Sequence, residues 1–542
     1  MAISARARTF TTLVNFNGAN GTDPNGSLVQ GFDGNLYGTT YEGGAYSFGT
    51  IFTMATNATL TTLYGFCVQF DCTDGNGPLA GLLQATDGNL YGTTNHGGTA
   101  HGGGTVFRIT PEGTLTTLYN FCSQSNCADG VEPDAGLVQA TSGNFYGTTL
   151  AGGAYFGCFV GSCGTVFQIT PDGTLTTLHS FDITDGANPQ AGLIQASNGD
   201  FYGTTLYGGA NGEGTVFRIT PSGTLKTLYA FCAQTNCTDG SVPQAGLIQG
   251  ANGILYGTTS SGGAYGYGTI FKITTSGALT TLHSFDGTDG AYPYAGLIQA
   301  TNGALYGATS QGGSSARCVQ TLGCGTVFEI TLAGKLTTLH NFDGADGEYP
   351  YSGLTQATNG TLYGTTYQGG ANGDGTLFSL SVGLNPFVET LPAFGKVGAA
   401  INILGTNLTD ATSVTINGAS ATFNVISPSQ ITTTVPIGAT ATGKVQIIVP
   451  TGTLVSNAVF RVTPFVSKFS PTSGTVGTVV TITGNNLTDA TSVTFGGVKA
   501  TNFTVNSDTQ ITATVPTGAQ TGRISVTTPG GTGTSAGTFH VY

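Results

Sequence analysis

Leu36-Tyr37-Gly38-Thr39-Thr40 decides the fold of this chain, because it returns. The same pentapeptide, or a close variant, recurs around Tyr91, Tyr146, Tyr202, Tyr256, Tyr306 and Tyr363. The copies lie roughly 50 to 57 residues apart, and a fixed period of this size marks a repeat architecture. A residue that recurs seven times is read as a requirement of the fold rather than as a catalyst.

Outward from the pentapeptide, each repeat holds four short segments rich in β-branched and aromatic residues, separated by glycine-containing turns. In the fifth repeat the first strand is predicted at Ala245–Gln249. An Asn252-Gly253 turn needing positive φ follows, and then a second strand, Leu255–Thr259. A loop carrying Gly262-Gly263 leads to a third strand at Gly268–Ile273 and a fourth at Ala278–Phe285. Every segment type occurs seven times; the first type ends at Gln30, Gln84, Gln139, Gln195, Gln249, Gln299 and Gln356. The chain opens on a fourth-type segment, Thr9–Phe16, and the last repeat stops after its third. An unpaired sheet edge is an aggregation hazard. Both irregularities vanish if the N-terminal strand completes the last sheet. The expected fold is therefore all-β: a seven-bladed β-propeller closed by its N-terminal strand. The Asn-Gly and Pro-x-Gly turns fall on one face of the ring. The variable Gly-Gly and inter-blade loops fall on the other.

Charged residues are only 8% of the 542, and the net charge is −13 with 14 basic residues in no cluster. Nucleic acid and anionic membrane surfaces are excluded as partners, because both need concentrated Lys and Arg. No apolar stretch is long enough to insert into a membrane. The ten cysteines form five close pairs: Cys67/Cys72, Cys122/Cys127, Cys158/Cys163, Cys232/Cys237 and Cys318/Cys324. Pairing this regular points to local disulfides and an oxidising compartment. Metal binding is the competing reading, and the lack of histidine at zinc-ligand spacing counts against it. Met1–Phe10 has no apolar signal-peptide core, so an export signal is expected to lie outside this chain.

The unit Ala-Gly-Leu-Ile-Gln-Ala through Leu-Tyr-Gly-Thr-Thr to Gly-Thr-Val-Phe-x-Ile-Thr-Pro-x-Gly-Thr-Leu resembles the Gloeo/Verruco tandem repeat of bacterial exported proteins. The resemblance implies export and surface display and brings no catalytic residue with it. Composition changes at Gly383-Leu-Asn-Pro386. Beyond it, Gly405–Thr415 matches Gly484–Thr494, and Ile431–Pro436 matches Ile511–Pro516. These two units of short alternating strands resemble the IPT/TIG family of immunoglobulin-like domains, opened in the second copy by Ser470-Pro-Thr-Ser-Gly474. The expected domains are residues 9–382 for the propeller, then 383–463 and 464–542 for two Ig-like β-sandwiches.

Candidate chemistry is sparse. His179, His283 and His340 occupy one repeat position, held elsewhere by Tyr64, Tyr119 and Tyr229, and read as structural. His96 and His101 share a loop without a carboxylate or cysteine beside them. Asp182/Asp185, Asp286/Asp289 and Asp343/Asp346 form oxygen-rich inter-blade loops, for which calcium and turn formation are the alternatives; no other cofactor is expected. The seven glutamines are expected near the axis, bonding to neighbouring blades. Tyr46, Phe48, Tyr155, Phe156, Tyr265 and Tyr267 in the Gly-Gly loops are the ligand-binding candidates, and the absence of tryptophan weakens a sugar reading. The expected role is binding rather than catalysis. An extracellular or cell-surface scaffold or adhesin would contact a glycan or protein through the disulfide-bearing face, with the Ig-like pair as stalk. Two alternatives stand beside it. One is a polysaccharide lyase or glycosidase, which needs carboxylates or a Tyr/His/Arg group breaking the sevenfold pattern. The other is a filament or surface-layer subunit associating through its Ig-like domains.

Overall fold

The computed structural model describes residues 8–542 except 56, 100, 159–160, 316–317 and 319–321. Residues 1–7, on which part of the export-signal reading rests, lie outside the described set. The described residues hold strands and three short 3₁₀ turns but no α-helix, so no helix is long and apolar enough to cross a membrane. The chain divides into two compact units, Met1–Asn385 and Pro386–Tyr542.

The first unit contains seven four-stranded antiparallel sheets. In the first, β2 (Val29–Gln30), β3 (Leu36–Thr40), β4 (Thr50–Met54) and β5 (Leu60–Gly65) follow one another from the inside out. The seventh sheet takes its outermost strand from β1 (Thr9–Asn15), which pairs antiparallel with Thr376–Ser381 from Thr9↔Ser381 to Asn15↔Thr376. The ring then closes onto the first sheet. The Ser27 hydroxyl accepts from the Gly353 amide at 2.9 Å, and the Gln30 side-chain oxygen accepts from the Thr358 amide at 2.9 Å.

The pentapeptide builds each blade residue by residue. Leu36 and Tyr37 are buried in the core. Gly38 has no alternative: a Cβ there would meet the Phe52 ring at 2.5 Å and Leu28 at 2.7 Å. The Thr39 hydroxyl donates 2.9 Å to Ala80 O of the next blade. The Thr40 hydroxyl lies 2.8 Å from that of Thr50, tying the second strand to the third. The threonine pair recurs at 2.8 Å in all seven blades, as Thr94/Thr105, Thr149/Thr165, Thr205/Thr215, Thr259/Thr269, Thr309/Thr326 and Thr366/Thr376.

Two local expectations are corrected. The innermost strand keeps ladder pairing only over its last two residues, Ile248–Gln249 in the fifth blade, rather than over Ala245–Gln249. The Asn252-Gly253 turn puts only Gly253 in the left-handed region (φ 78°), with the Asn252 side chain accepting from the Ile254 amide at 3.1 Å. It is therefore not a two-residue turn with two left-handed positions.

The second unit is two β-sandwiches with separate apolar cores, one around Ile403, Val414 and Ile447 and the other around Ile482, Val493 and Val526. The repeated Gly-x-Asn-Leu motif has a physical basis in both. Asn407 (φ 58°) and Asn486 (φ 59°) turn the chain through the left-handed region and drop Leu408 and Leu487, fully buried, into the cores.

Candidate binding site at the axial mouth

The five disulfides join Cys67–Cys72, Cys122–Cys127, Cys158–Cys163, Cys232–Cys237 and Cys318–Cys324, and no described cysteine is free. All lie in inter-blade or Gly-Gly loops, on the end of the ring where the innermost strands begin. At the opposite end the glutamine ring fastens the blades. Six glutamine side-chain oxygens accept a backbone amide of the preceding blade at 2.8–3.1 Å. These residues are committed to the fold.

The aspartates of the inter-blade loops are committed too. Asp185, Asp289 and Asp346 each meet the imidazole of His179, His283 and His340 at 2.7 Å. Their partners cap the same loop: Asp182 accepts from the Thr184 amide and hydroxyl and from the Asp185 amide. The Thr184 hydroxyl bond, then the backbone amides, hold the Asp182 carboxyl below the usual carboxylate range; Thr288 does the same for Asp286. Asp343 accepts from the Ala345 and Asp346 amides. The six aspartates thus form three separate pairs, each serving its own turn. Among the described residues one group reaches metal-ligand spacing, Cys318, Cys324 and Glu348, but its two sulfurs are joined in a disulfide. His96 and His101 are exposed in their loop.

Of the predicted aromatic candidates, Tyr46, Phe48, Tyr155, Phe156 and Tyr265 are exposed, on three separate loops. Tyr267 is half-buried edge-on to Tyr292, with centroids 5.9 Å apart. No ring contact joins the aromatics of different Gly-Gly loops among the described residues.

A different set of aromatics does converge. The residue that follows the proline before each innermost strand sits at the axial mouth of the disulfide-bearing face. In chain order these are Asn25, Leu79, Asp134, Gln190, Gln244, Tyr294 and Tyr351. They are neighbours across blades: Gln244 Nε2 donates to Gln190 Oε1 at 2.8 Å, and Tyr294 meets Tyr351 with centroids 5.4 Å apart. Tyr351 in turn touches Tyr367 at 5.1 Å and Tyr349 at 6.1 Å. Tyr41 completes an arc of half-buried phenols, its ring lying against Gly77, where an added Cβ would stand 2.8 Å away. The repeat tyrosines all have hydroxyl partners, such as Asp33 for Tyr37 at 2.7 Å. The hydroxyls of Tyr41, Tyr294, Tyr351 and Tyr367 have none among the described residues.

Carboxyls share this mouth. Burial first, then the neighbouring Glu42 carboxylate, push Asp23 up to about 6. Burial pushes Asp134 up to about 7, against the stabilising amide of Asn95, with Glu132 adding to the rise. Burial and the negative field of Glu42, Asp134, Asp23 and Glu132 raise the Tyr41 phenol, and burial with the adjoining phenols raises Tyr351 to about 12. Sequence reasoning missed this set. The signal was a column that holds five different residue types in seven blades, following an invariant proline.

No curated protein matches the chain. Solved structures similar to it include a fungal alcohol oxidase of the AA5 family in complex with copper, at 13% identity and TM-score 0.46, covering 84% of this chain and 98% of that one. The SGBP-B protein of a xyloglucan utilization locus in Bacteroides uniformis is 25% identical with TM-score 0.15, covering 28% of this chain and 48% of its own. A surface glycan-binding protein from Prevotella bryantii is 23% identical with TM-score 0.21, covering 27% and 38%. The IPT/TIG domain model matches residues 387–462 and 464–541. The Gloeobacter/Verrucomicrobia repeat model matches residues 1–160, 66–249 and 233–424, and with most of its length so matched the chain belongs to that repeat family.

Proposed function

We propose that this protein is an exported, non-enzymatic binding protein, which takes an extracellular glycan or protein ligand at the axial mouth of its disulfide-bearing face. The IPT/TIG pair serves as its spacer. One observation carries the reading. The seven copies agree at nearly every position that holds the blades together and diverge where they line the mouth, and the divergence there gathers solvent-facing tyrosines whose hydroxyls are unspent. Loops on a rigid scaffold are where binding residues concentrate. The five cystines support an oxidising compartment outside the cytosol.

A second reading, an enzyme acting on polysaccharide, is favoured by Asp23 and Asp134, which keep their protons to about pH 6 and 7 at the same mouth. A retained proton near neutral pH is what a general acid needs. A glycan array followed by a product assay separates the two. Binding without turnover, abolished by Tyr351→Ala with Tyr367→Ala, supports the binding protein. Release of shorter products, lost in Asp134→Asn, overturns it.

A further inference from the structure

Resting on that reading of the axial mouth, we propose that its ligand is a glycan of free amino sugars, recognised by a protonated amine on the sugar ring. The first support is the aromatic arc. Tyr294, Tyr351 and Tyr367 are linked across adjacent blades at 5.1–5.4 Å and half-buried, so their ring faces are fixed before any ligand arrives. Fixed phenol faces attract a cation through the ring quadrupole. The second support is charge. The strongest field on Tyr41 comes from Glu42, followed by Asp134 and Asp23, and the strongest on Tyr367 comes from Asp23, followed by Glu42. An ammonium group between these rings and Asp23 gains both the quadrupole and a charge-assisted hydrogen bond. A uronic-acid polymer is repelled by the same carboxylates and by a chain of net charge −13.

The third support separates an amino sugar from a basic peptide. The free hydroxyls of Tyr294, Tyr351 and Tyr367 each offer one donor and two acceptor positions. A lysine side chain brings one ammonium on an apolar stem, with donors only and no acceptor for the phenol O–H groups. A pyranose amine brings the ammonium, several ring hydroxyls and a C–H face that lies flat on a phenol.

Isothermal titration of the full chain with four hexamers tests this: glucosamine, N-acetylglucosamine, lysine and galacturonic acid. Glucosamine hexamer is expected to bind about tenfold or more tighter than its N-acetylated form, consistent with loss of one cation contact. Galacturonate is expected to give no heat. Tyr351→Ala and Asp23→Asn should each weaken glucosamine binding about fivefold or more, whereas Tyr351→Phe keeps the ring face and should weaken it less. Lys335→Ala, on the opposite face, should leave it unchanged and checks that the fold is not at issue. Equal affinity for the N-acetylated hexamer, or tighter binding of hexalysine, overturns the amino-sugar assignment. If a neutral glycan binds and Tyr351→Ala abolishes it, the binding role of the mouth survives and only this inference falls. If no ligand depends on Tyr351, both fall.

Discussion

His283 and Tyr229 show how one position carries two solutions. Asp289 takes the His283 imidazole at 2.7 Å, while Asp239 takes the Tyr229 phenol at 2.7 Å. With histidine the loop is the short Asp-x-x-Asp turn; with tyrosine it is the cystine turn, where Asp239 also accepts the Ala233 and Gln234 amides. In the seventh blade, closed by β1, the residue is Val14 and the carboxylates are replaced by Asn17 and Asn20, which bond one another's amides. Outer-strand residue and loop type therefore change together. Substituting His283 by Val leaves the half-buried Asp289 without its side-chain partner, and an unmet acceptor of this kind costs about 1–3 kcal/mol. Urea titration should show a lower midpoint with an unchanged slope.

Asp134 gives the residue-scale pH prediction. Its folded pKa, about 7, lies above the ordinary 3.8, so the folded state holds a proton that the unfolded chain releases. Stability must then fall as pH rises from about 4 to about 7. Asp134→Asn removes that slope. The variant should unfold at a higher temperature than the parent at pH 8 and at an equal one at pH 4; the opposite ordering at pH 8 rejects the assignment.

Among the elements, the second strand was legible in its bounds, Leu255–Thr259 in the fifth blade, because each residue of the pentapeptide meets a local need that repeats. The axial mouth was not legible for the converse reason. Tyr41 and Tyr367 belong to the first and last copies and become neighbours only when the ring closes, and no periodic pattern marks residues that each blade chooses differently. The Gly-Gly-loop aromatics stood out in the sequence by local composition, but their loops stand apart. Ala308 offers an element-scale test. In the sixth blade it replaces the threonine whose hydroxyl elsewhere bonds the next blade, as Thr204 does to Ala245 O at 3.1 Å. Ala308 is fully buried among the same kind of neighbours. Ala308→Thr should restore the missing inter-blade bond and add about 0.5–1.5 kcal/mol, read as a rise in the thermal midpoint. A fall would mean the sixth interface is packed too tightly to admit the methyl and hydroxyl.

At the scale of the whole molecule, two devices compete as the principal staple, and their magnitudes rank them. Each disulfide spans a sequence separation of only 5 or 6 residues, and closing so short a loop contributes about 2 kcal/mol at most. β1 contributes more. It forms the whole outer ladder of the seventh sheet, stacks Phe10 on His340 at 3.7 Å, and leads into Phe16, which is fully buried against Phe52 of the first blade. Removing one buried phenylalanine of that kind costs about 3–5 kcal/mol, before the lost ladder and the bared edge of Thr376–Ser381 are counted. Reduction of all five disulfides should therefore leave the far-ultraviolet spectrum and sedimentation of the chain unchanged at 25 °C, with a modest drop in midpoint. Deleting residues 1–16 with every disulfide intact should lower the midpoint much further and drive association through the exposed edge. If instead the reduced protein unfolds and the truncated one stays monomeric and stable, the cystines and not the seventh-blade closure hold the ring, and the preformed mouth loses its structural basis with it.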